Sequence, residues 1–232
     1  PYGGIPTLAY SKIFKKARKD NVLVLLDGQG MDEQWAGYDY YLNNTNNNVI
    51  QGIQESPFKT NVFSEILLKN KVKPQYPQPF KDDLLNKQFR DLFYTKIPRA
   101  LRFNDRISMA YSTELREPFL DYRLVEFAFS QPVKYKINNN LQKYLLREIV
   151  SDLLSDKITY APKRPLQTPQ REWLSNELVN FVDKSIKNIQ LSDFKNWFNF
   201  KELNEEWKKY KEGNKESSFH IWQWLNFNLL IK

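Results

Sequence analysis

Near its start the chain changes hydrophobic rhythm twice. Residues 6–19 (Pro-Thr-Leu-Ala-Tyr-Ser-Lys-Ile-Phe-Lys-Lys-Ala-Arg-Lys) set Leu8, Ile13 and Phe14 among polar neighbours and predict a helix. Asp20-Asn21 turns the chain into Val22-Leu23-Val24-Leu25-Leu26, and so short an apolar run behind a helix reads as a buried parallel strand. Asp27-Gly28-Gln29-Gly30 ends the run, and a further helix is expected from near Asp32. Helix, strand, helix is the unit of an open α/β sheet. Everything downstream reads as helical, with candidates over about 50–55, 60–69, 82–95, 98–111, 121–130, 140–154, 170–188, 193–212 and 217–231. Pro74, Pro77 and Pro79 mark one loop, and Pro162, Pro165 and Pro169 another. The asparagine-rich stretch between 42 and 80 predicts a variable surface excursion; there is no internal repeat and no clear domain boundary.

Composition narrows the chemistry. With 41% hydrophobic and 15% aromatic residues over 232 positions, the chain has enough apolar material for a sizeable core. It holds no cysteine, which excludes disulfides, thiolate metal sites and a cysteine nucleophile. The one histidine, His220, lies in Ser-Phe-His-Ile-Trp-Gln-Trp, where packing is a better reading than a triad. Catalysis therefore falls to Lys, Arg, Asp, Glu, backbone amides and a hard metal ion. A net charge of +8 invites nucleic acid, but the lysines are scattered and many alternate with glutamates, so nucleic acid is not the expected partner. No apolar run approaches the ~20 residues of a membrane span, and no secretory signal opens the chain, so a cytoplasmic location is expected. Asn43-Asn44-Thr45 matches a glycosylation sequon and is discounted on the same ground. Starting at Pro1, the chain reads as a fragment, a processed product or a trimmed piece.

Three passages carry charge in patterns suited to a site. The first is Leu26-Asp27-Gly28-Gln29-Gly30-Met31-Asp32-Glu33 with Trp35-Ala36-Gly37-Tyr38. It lies where open α/β sheets bind ligands, its glycines permit close approach to bare amides, and Asp32 suits Mg²⁺ bound with phosphates. An ordinary β–α turn with acidic groups at the helix start is the competing reading. The second, residues 104–121, gathers Asp105, Arg106, Glu114, Arg116 and Asp121 around Glu117-Pro118, as a substrate loop or as buried ion pairs that shape it. The third, Asn138 to Glu148, predicts an asparagine-capped helix with Leu141, Leu145 and Ile149 as its buried stripe. Lys143 and Arg147 then share one face near its start and would suit a polyphosphate, unless Glu148 offsets Arg147 on a solvated face.

Together these passages resemble the synthetase domain of the glutamine-dependent asparagine synthetases. The family runs Leu-Ser-Gly-(Glu/Asp)-Gly-(Ala/Gly)-Asp-Glu, two residues, Gly-Gly-Tyr, which Leu26 to Tyr38 follows in order and spacing. Asp105 to Asp121 follows its Asp-Arg-x-Ser-Met-Ala-x-Ser-x-Glu-x-Arg-x-Pro-Phe-Leu-Asp, with Glu117 at the last variable position. Lys143 to Arg147 matches a Lys-x-x-Leu-Arg helix, and Pro162, Lys163, Arg164, Thr168, Pro169, Trp173 and Leu174 match a later passage. The resemblance implies an α/β fold, an adenine-nucleotide α-hydrolase-like open parallel sheet, here partial, with a large appended helical region. It implies that ATP activates a carboxylic acid, aspartate first among candidates, as an acyl-adenylate, and that ammonia from a glutaminase domain completes the amide. By position Asp32 would hold Mg²⁺; Leu26, Gly28 and Gly30 would line the nucleotide site; Lys143, with Arg147, would stabilise phosphate charge. Gln29 would face the acyl intermediate, and Asp105, Glu114, Arg116 and Asp121 would shape the substrate loop.

The pattern is incomplete over residues 1–232. The family's Ser-Gly-Gly-x-Asp-Ser pyrophosphate loop, its second Mg²⁺-binding aspartate and its glutaminase domain have no counterpart, so the chain reads as the C-terminal part of the synthetase domain. Alone, it is expected to be inactive in ATP–pyrophosphate exchange. Asp27 replaces the usual Ser, and Gln29 the usual Glu or Asp. A neutral amide at 29 cannot act as a base towards ammonia and could signal another acyl substrate, as in amidotransferases of cell-surface polysaccharide or antibiotic pathways. A catalytically inactive binding module with the same fold is the alternative, and the oligomeric state is open, a homo-oligomer included.

Overall fold

The computed structural model describes residues 5–42, 59–72, 74–162, 168–213 and 217–231. The helix expected at 50–55, Asn43 to Asn48, Lys163, Arg164 and Pro165 lie outside them. The chain divides into two compact units, one of residues 6–46 and 75–166, the other of 1–5, 47–74 and 167–232.

The first unit opens with helix α1 (Pro6–Lys19), at the expected bounds. Strand β1 (Val24–Leu26) follows, then the short helix α2 (Met31–Gln34). β1 pairs in parallel with β2 (Glu114–Arg116), in the register Val24 to Glu114 and Leu26 to Arg116. The connection runs through Asp83–Arg90, which passes into a π-helical stretch at Asp91–Thr95, and then Ile97–Met109. Helix Tyr122–Ser130 follows β2. The unit is thus mostly helical with a small parallel sheet, in keeping with the α/β expectation.

β1 is parallel as expected but not buried: Val24 is 39% and Leu26 74% exposed. A parallel strand disappears only when both faces and both edges are covered. Among the described residues, β2 alone pairs with it.

The π-helical turn has a local cause. Asp91 is buried and draws in four donors: the hydroxyls of Tyr40 (2.5 Å), Tyr41 (2.9 Å) and Thr95 (2.8 Å), and Arg90 Nε (3.1 Å). Opening the helix by one residue lets the carboxylate reach them, and a buried carboxylate needs such donors.

The single helix expected over about 140–154 is replaced. Residues 137–142 form a small hairpin of β3 (Ile137–Asn138) and β4 (Leu141–Gln142), turned by Asn139 and Asn140, both at positive φ. Asparagine tolerates that region better than most residues, so the Asn run makes a hairpin rather than a helix cap. The helix proper is Tyr144–Val150, and Ile149 on it is exposed rather than part of a buried stripe.

The second unit packs helices Gln170–Ser175, Val179–Leu191, Phe200–Lys211 and Phe219–Leu230 around Val182, Ile186, Leu203, Trp207, Ile221 and Trp224. Thus the helix expected over 170–188 is two helices, and that over 193–212 begins later, at Phe200, behind an Asn199 side chain that caps it. His220 is buried here, with the rings of Tyr210 and Trp224 edge-on to it at 5.8 and 5.3 Å. Burial, and secondarily Lys59, holds its pKa down to about 4. On acidification from pH 6.5 the unfolded chain binds a proton that the native imidazole refuses, so stability falls until about pH 4. Between pH 7 and 4.5, wild type should lose on the order of 2–3 kcal/mol more than a His220→Phe variant. Urea unfolding followed by tryptophan fluorescence measures this, and equal losses would show a solvated histidine.

Candidate active site

The site is built where β1 ends. The Asp27 N–H donates to Arg116 O (2.9 Å), extending the ladder one residue past the strand. Its carboxylate accepts from Gly28 N–H (2.7 Å) and from Asn104 Nδ2 (3.2 Å), which shapes the first bend. Gly30 then takes φ +93°, and a β-carbon there would collide with Leu120. Both the backbone conformation and the packing require glycine at this point. Gly28 differs: a β-carbon on it would point into open space, leaving room for a ligand beside the turn. Gln34 closes the far side, its Nε2 donating to Phe119 O (2.5 Å).

Asp32, in the first turn of α2, meets Lys143 Nζ at 2.5 Å. Both side chains are mostly buried, at 17% and 21% exposure, so the pair is shielded yet still open to an incoming group. Gly37 makes the contact possible, because a β-carbon there would collide with both Asp32 Oδ1 and Lys143 Cε. Lys143 itself sits at φ 56° at the N-cap of its helix, with its N–H donating to Trp35 O (3.0 Å). This backbone bond brings the hairpin onto the glycine turn.

Lys136, which no sequence motif marked, also reaches α2. Its Nζ donates to Gln34 O (2.9 Å) and lies 5.0 Å from the Phe129 ring centroid and 5.7 Å from that of Trp35. Burial lowers its pKa to about 8, against a weaker pull from Asp82. A lysine in an exposed-looking Lys134-Tyr135-Lys136 run carries no local sign that its tail is enclosed.

The other expected residues fall differently. Arg147 is not turned towards a shared anion with Lys143; its guanidinium donates to the carbonyls of Gln142 (2.8 Å), Ala161 (3.2 Å) and Thr159. The left-handed turn at 143 breaks the continuous helix face that would have aligned the two cations. Glu114 and Arg116 pair with each other on the exposed face of β2 at 2.7 Å. Asp121 caps the following helix by accepting from Arg123 N–H (2.9 Å), and the Arg123 guanidinium holds its pKa down to about 2. Asp105 and Arg106 are exposed on helix Ile97–Met109. Glu114, Arg116 and Asp121 therefore form local pairs and Asp105 and Arg106 face solvent, in place of one buried network. Gln29 is half-buried in the turn, and Leu26 is exposed at the strand end.

The family model described as asparagine synthase matches residues 5–232. The chain is 28% identical over 168 residues to asparagine synthetase (glutamine-hydrolyzing) 3 of Bacillus subtilis (strain 168), covering 66% of this chain and 27% of that protein. It is 28% identical over 188 residues to the asparagine synthetase (glutamine-hydrolyzing) of Gallus gallus, covering 78% and 27%. The match to that of Rattus norvegicus is 28% over 196 residues, covering 81% and 28%. The chain thus spans about a quarter of the length of these relatives.

Proposed function

Because the chain belongs to the asparagine synthase family, we propose that it forms part of an ATP-dependent enzyme that joins ammonia to a carboxylic acid, with aspartate the first candidate. The observation that carries this reading is the Asp32–Lys143 pair, seated over Gly37 just beyond the carboxyl end of β1. Ligands of open α/β sheets bind at that end.

Among the described residues no three His, Cys, Asp or Glu side chains cluster as a metal cage. A lone Asp32 nevertheless fits Mg²⁺, which commonly takes one or two carboxylates and fills its shell with phosphate oxygens and water. Bound there, the ion would offset the charge of the leaving pyrophosphate. Lys143 is held beside that carboxylate and can exchange it for a phosphate oxygen with little movement of its stem. In doing so it would stabilise the charge that grows as the acid attacks the α-phosphorus. The open side of Gly28 admits the nucleotide, with Leu26 and Gly30 beside it, and Gln29 faces the acyl group. Arg147 acts from behind by fixing the carbonyls of Gln142 and Ala161, and so the hairpin that carries Lys143. The sheet is read as part of an adenine-nucleotide α-hydrolase-like fold, and ammonia as the product of a glutaminase domain.

The test uses the full-length protein with ATP, Mg²⁺, aspartate and ¹⁵N-ammonium. Aspartate-dependent AMP, pyrophosphate and ¹⁵N-labelled asparagine in equal amounts are expected. Formation of ADP and phosphate, or no nucleotide turnover with any carboxylic acid, would overturn the reading and favour a binding module. AMP formation with a different acid would keep the chemistry and replace the substrate.

A further inference from the structure

Two carboxylates stand at the carboxyl ends of the paired strands, and their surroundings differ. Asp27, after β1, is occupied by Gly28 N–H and Asn104 Nδ2. Glu117, after β2, has both carboxylate oxygens shielded from solvent, and neither closes a hydrogen bond of good geometry; the Gln29 N–H is the donor nearest to hand. Pro118 holds Glu117 out of helical geometry (φ −117°, ψ 78°), which aims the residue along the strand end instead of into a helix. The following residues lie on the glycine turn, through Phe119 O with Gln34 and Leu120 with Gly30. A shielded carboxylate so poorly supplied with donors is expensive to keep and calls for an explanation.

The groups around it shift its titration up towards neutral pH. Burial is the largest influence and the negative charge of Asp27 the next; the backbone N–H of Gln29 opposes them only in part. Together they raise the Glu117 pKa to about 7. Arg116, its neighbour, is turned to Glu114. Tyr10, from α1, is held in its neutral phenol form, its pKa raised by burial first and by the Asp27 charge second.

We propose that Glu117 is the general base of the amide-forming step, taking up the proton that ammonia sheds as it attacks the activated acyl carbon. This rests on the proposed function. The glycine turn offers only a carboxamide at position 29, which has no useful basicity, while Glu117 borders the same turn from the other strand. As the nitrogen lone pair forms the C–N bond, one N–H proton passes to a Glu117 carboxylate oxygen. The C–O bond to AMP then breaks, AMP leaves with that electron pair, and Glu117 returns the proton to water. Groups of this kind contribute about 10²–10⁴-fold when their pKa lies near the working pH.

The experiment compares the full-length wild type with Glu117→Gln, Glu117→Asp and the double variant Gln29→Glu/Glu117→Gln. Acid-dependent ATP–pyrophosphate exchange reads activation, and amide formation across pH 6–9 reads the second step. Glu117→Gln is expected to lose roughly 10²-fold in amide formation while keeping exchange. It should also lose the rise in rate centred near pH 7, which lies well below the ionisation of ammonium. Glu117→Asp should be slower but keep that rise, and the double variant should recover part of the loss. Unchanged amide formation in Glu117→Gln, an equal fall in exchange and amide formation, or persistence of the rise near pH 7 would overturn the proposal. If Glu117→Gln does not fold, loss of the rise in Glu117→Asp overturns it equally. Absence of exchange in the wild type would instead sink the proposed function itself.

Discussion

Lys143→Ala in the full-length protein is expected to slow ATP-dependent amide formation by roughly 10²–10³-fold, while hydrolysis of glutamine to ammonia continues. Lys143 is placed by long-range contacts: its N–H is held by Trp35 O, and its ammonium by Asp32 across a space that Gly37 leaves clear. Such a cation is fixed before substrate arrives, and a preorganised charge costs no reorganisation when the transition state forms. Truncation also removes the Lys143 charge from beside the largely buried Asp32 carboxylate, which destabilises the turn. The two effects separate by measurement. Loss of transition-state stabilisation lowers the turnover rate at saturating ATP, whereas a loosened turn first raises the ATP concentration required. Near-normal amide synthesis would mean that Lys143 only neutralises Asp32.

The second large effect is thermodynamic and belongs to Lys136, which is 0% exposed. With one carbonyl and two aromatic faces as partners, its ammonium is poorly compensated for lost hydration. Its folded pKa of about 8 lies below the ordinary lysine value of 10.5. Above pH 8 the native lysine sheds its proton while the unfolded chain still holds one. The unfolded state then binds more protons, so stability rises with pH up to about 10.5. The gain relative to a Lys136→Met variant should be on the order of 3 kcal/mol across that window. Urea unfolding at pH 7.5, 8.5, 9.5 and 10.5 measures it. Tyr38, Tyr40 and Tyr41, whose pKa values burial raises, push stability the other way at high pH but do so in both proteins. Parallel pH curves for the two proteins would show that water reaches Lys136.

Much of the local architecture was readable before any coordinates. The helix over 6–19 and the strand behind it follow from hydrophobic period and turn chemistry, because each depends on neighbours a few residues away. The helix Ile97–Met109 falls close to the expected 98–111, whereas strand Glu114–Arg116 interrupts a stretch that reads as helical throughout, because its pairing with β1 comes from a distant part of the chain. The glycine turn was recognisable from Asp27-Gly28-Gln29-Gly30, since Gly30 alone tolerates its left-handed backbone without strain.

What a side chain meets after the chain has closed is another matter. Asp32 and Lys143 are brought together from distant parts of the sequence, as are Gln34 O and Lys136 Nζ, 102 residues apart. Neither pair leaves a periodic trace. Whether Lys143 and Arg147 share a helix face depends on one residue turning left-handed beside an Asn-Asn hairpin, which an i, i+4 spacing cannot reveal. Whether Val24 and Leu26 are covered depends on which strands and helices reach them, and whether Glu117 is shielded depends on the turn opposite. Periodicity and turn residues determine local backbone geometry because those forces act between near neighbours. Burial, ion pairing and pKa are set by residues from elsewhere in the chain, so only the tertiary structure assigned Lys136 and Glu117 their places beside the site.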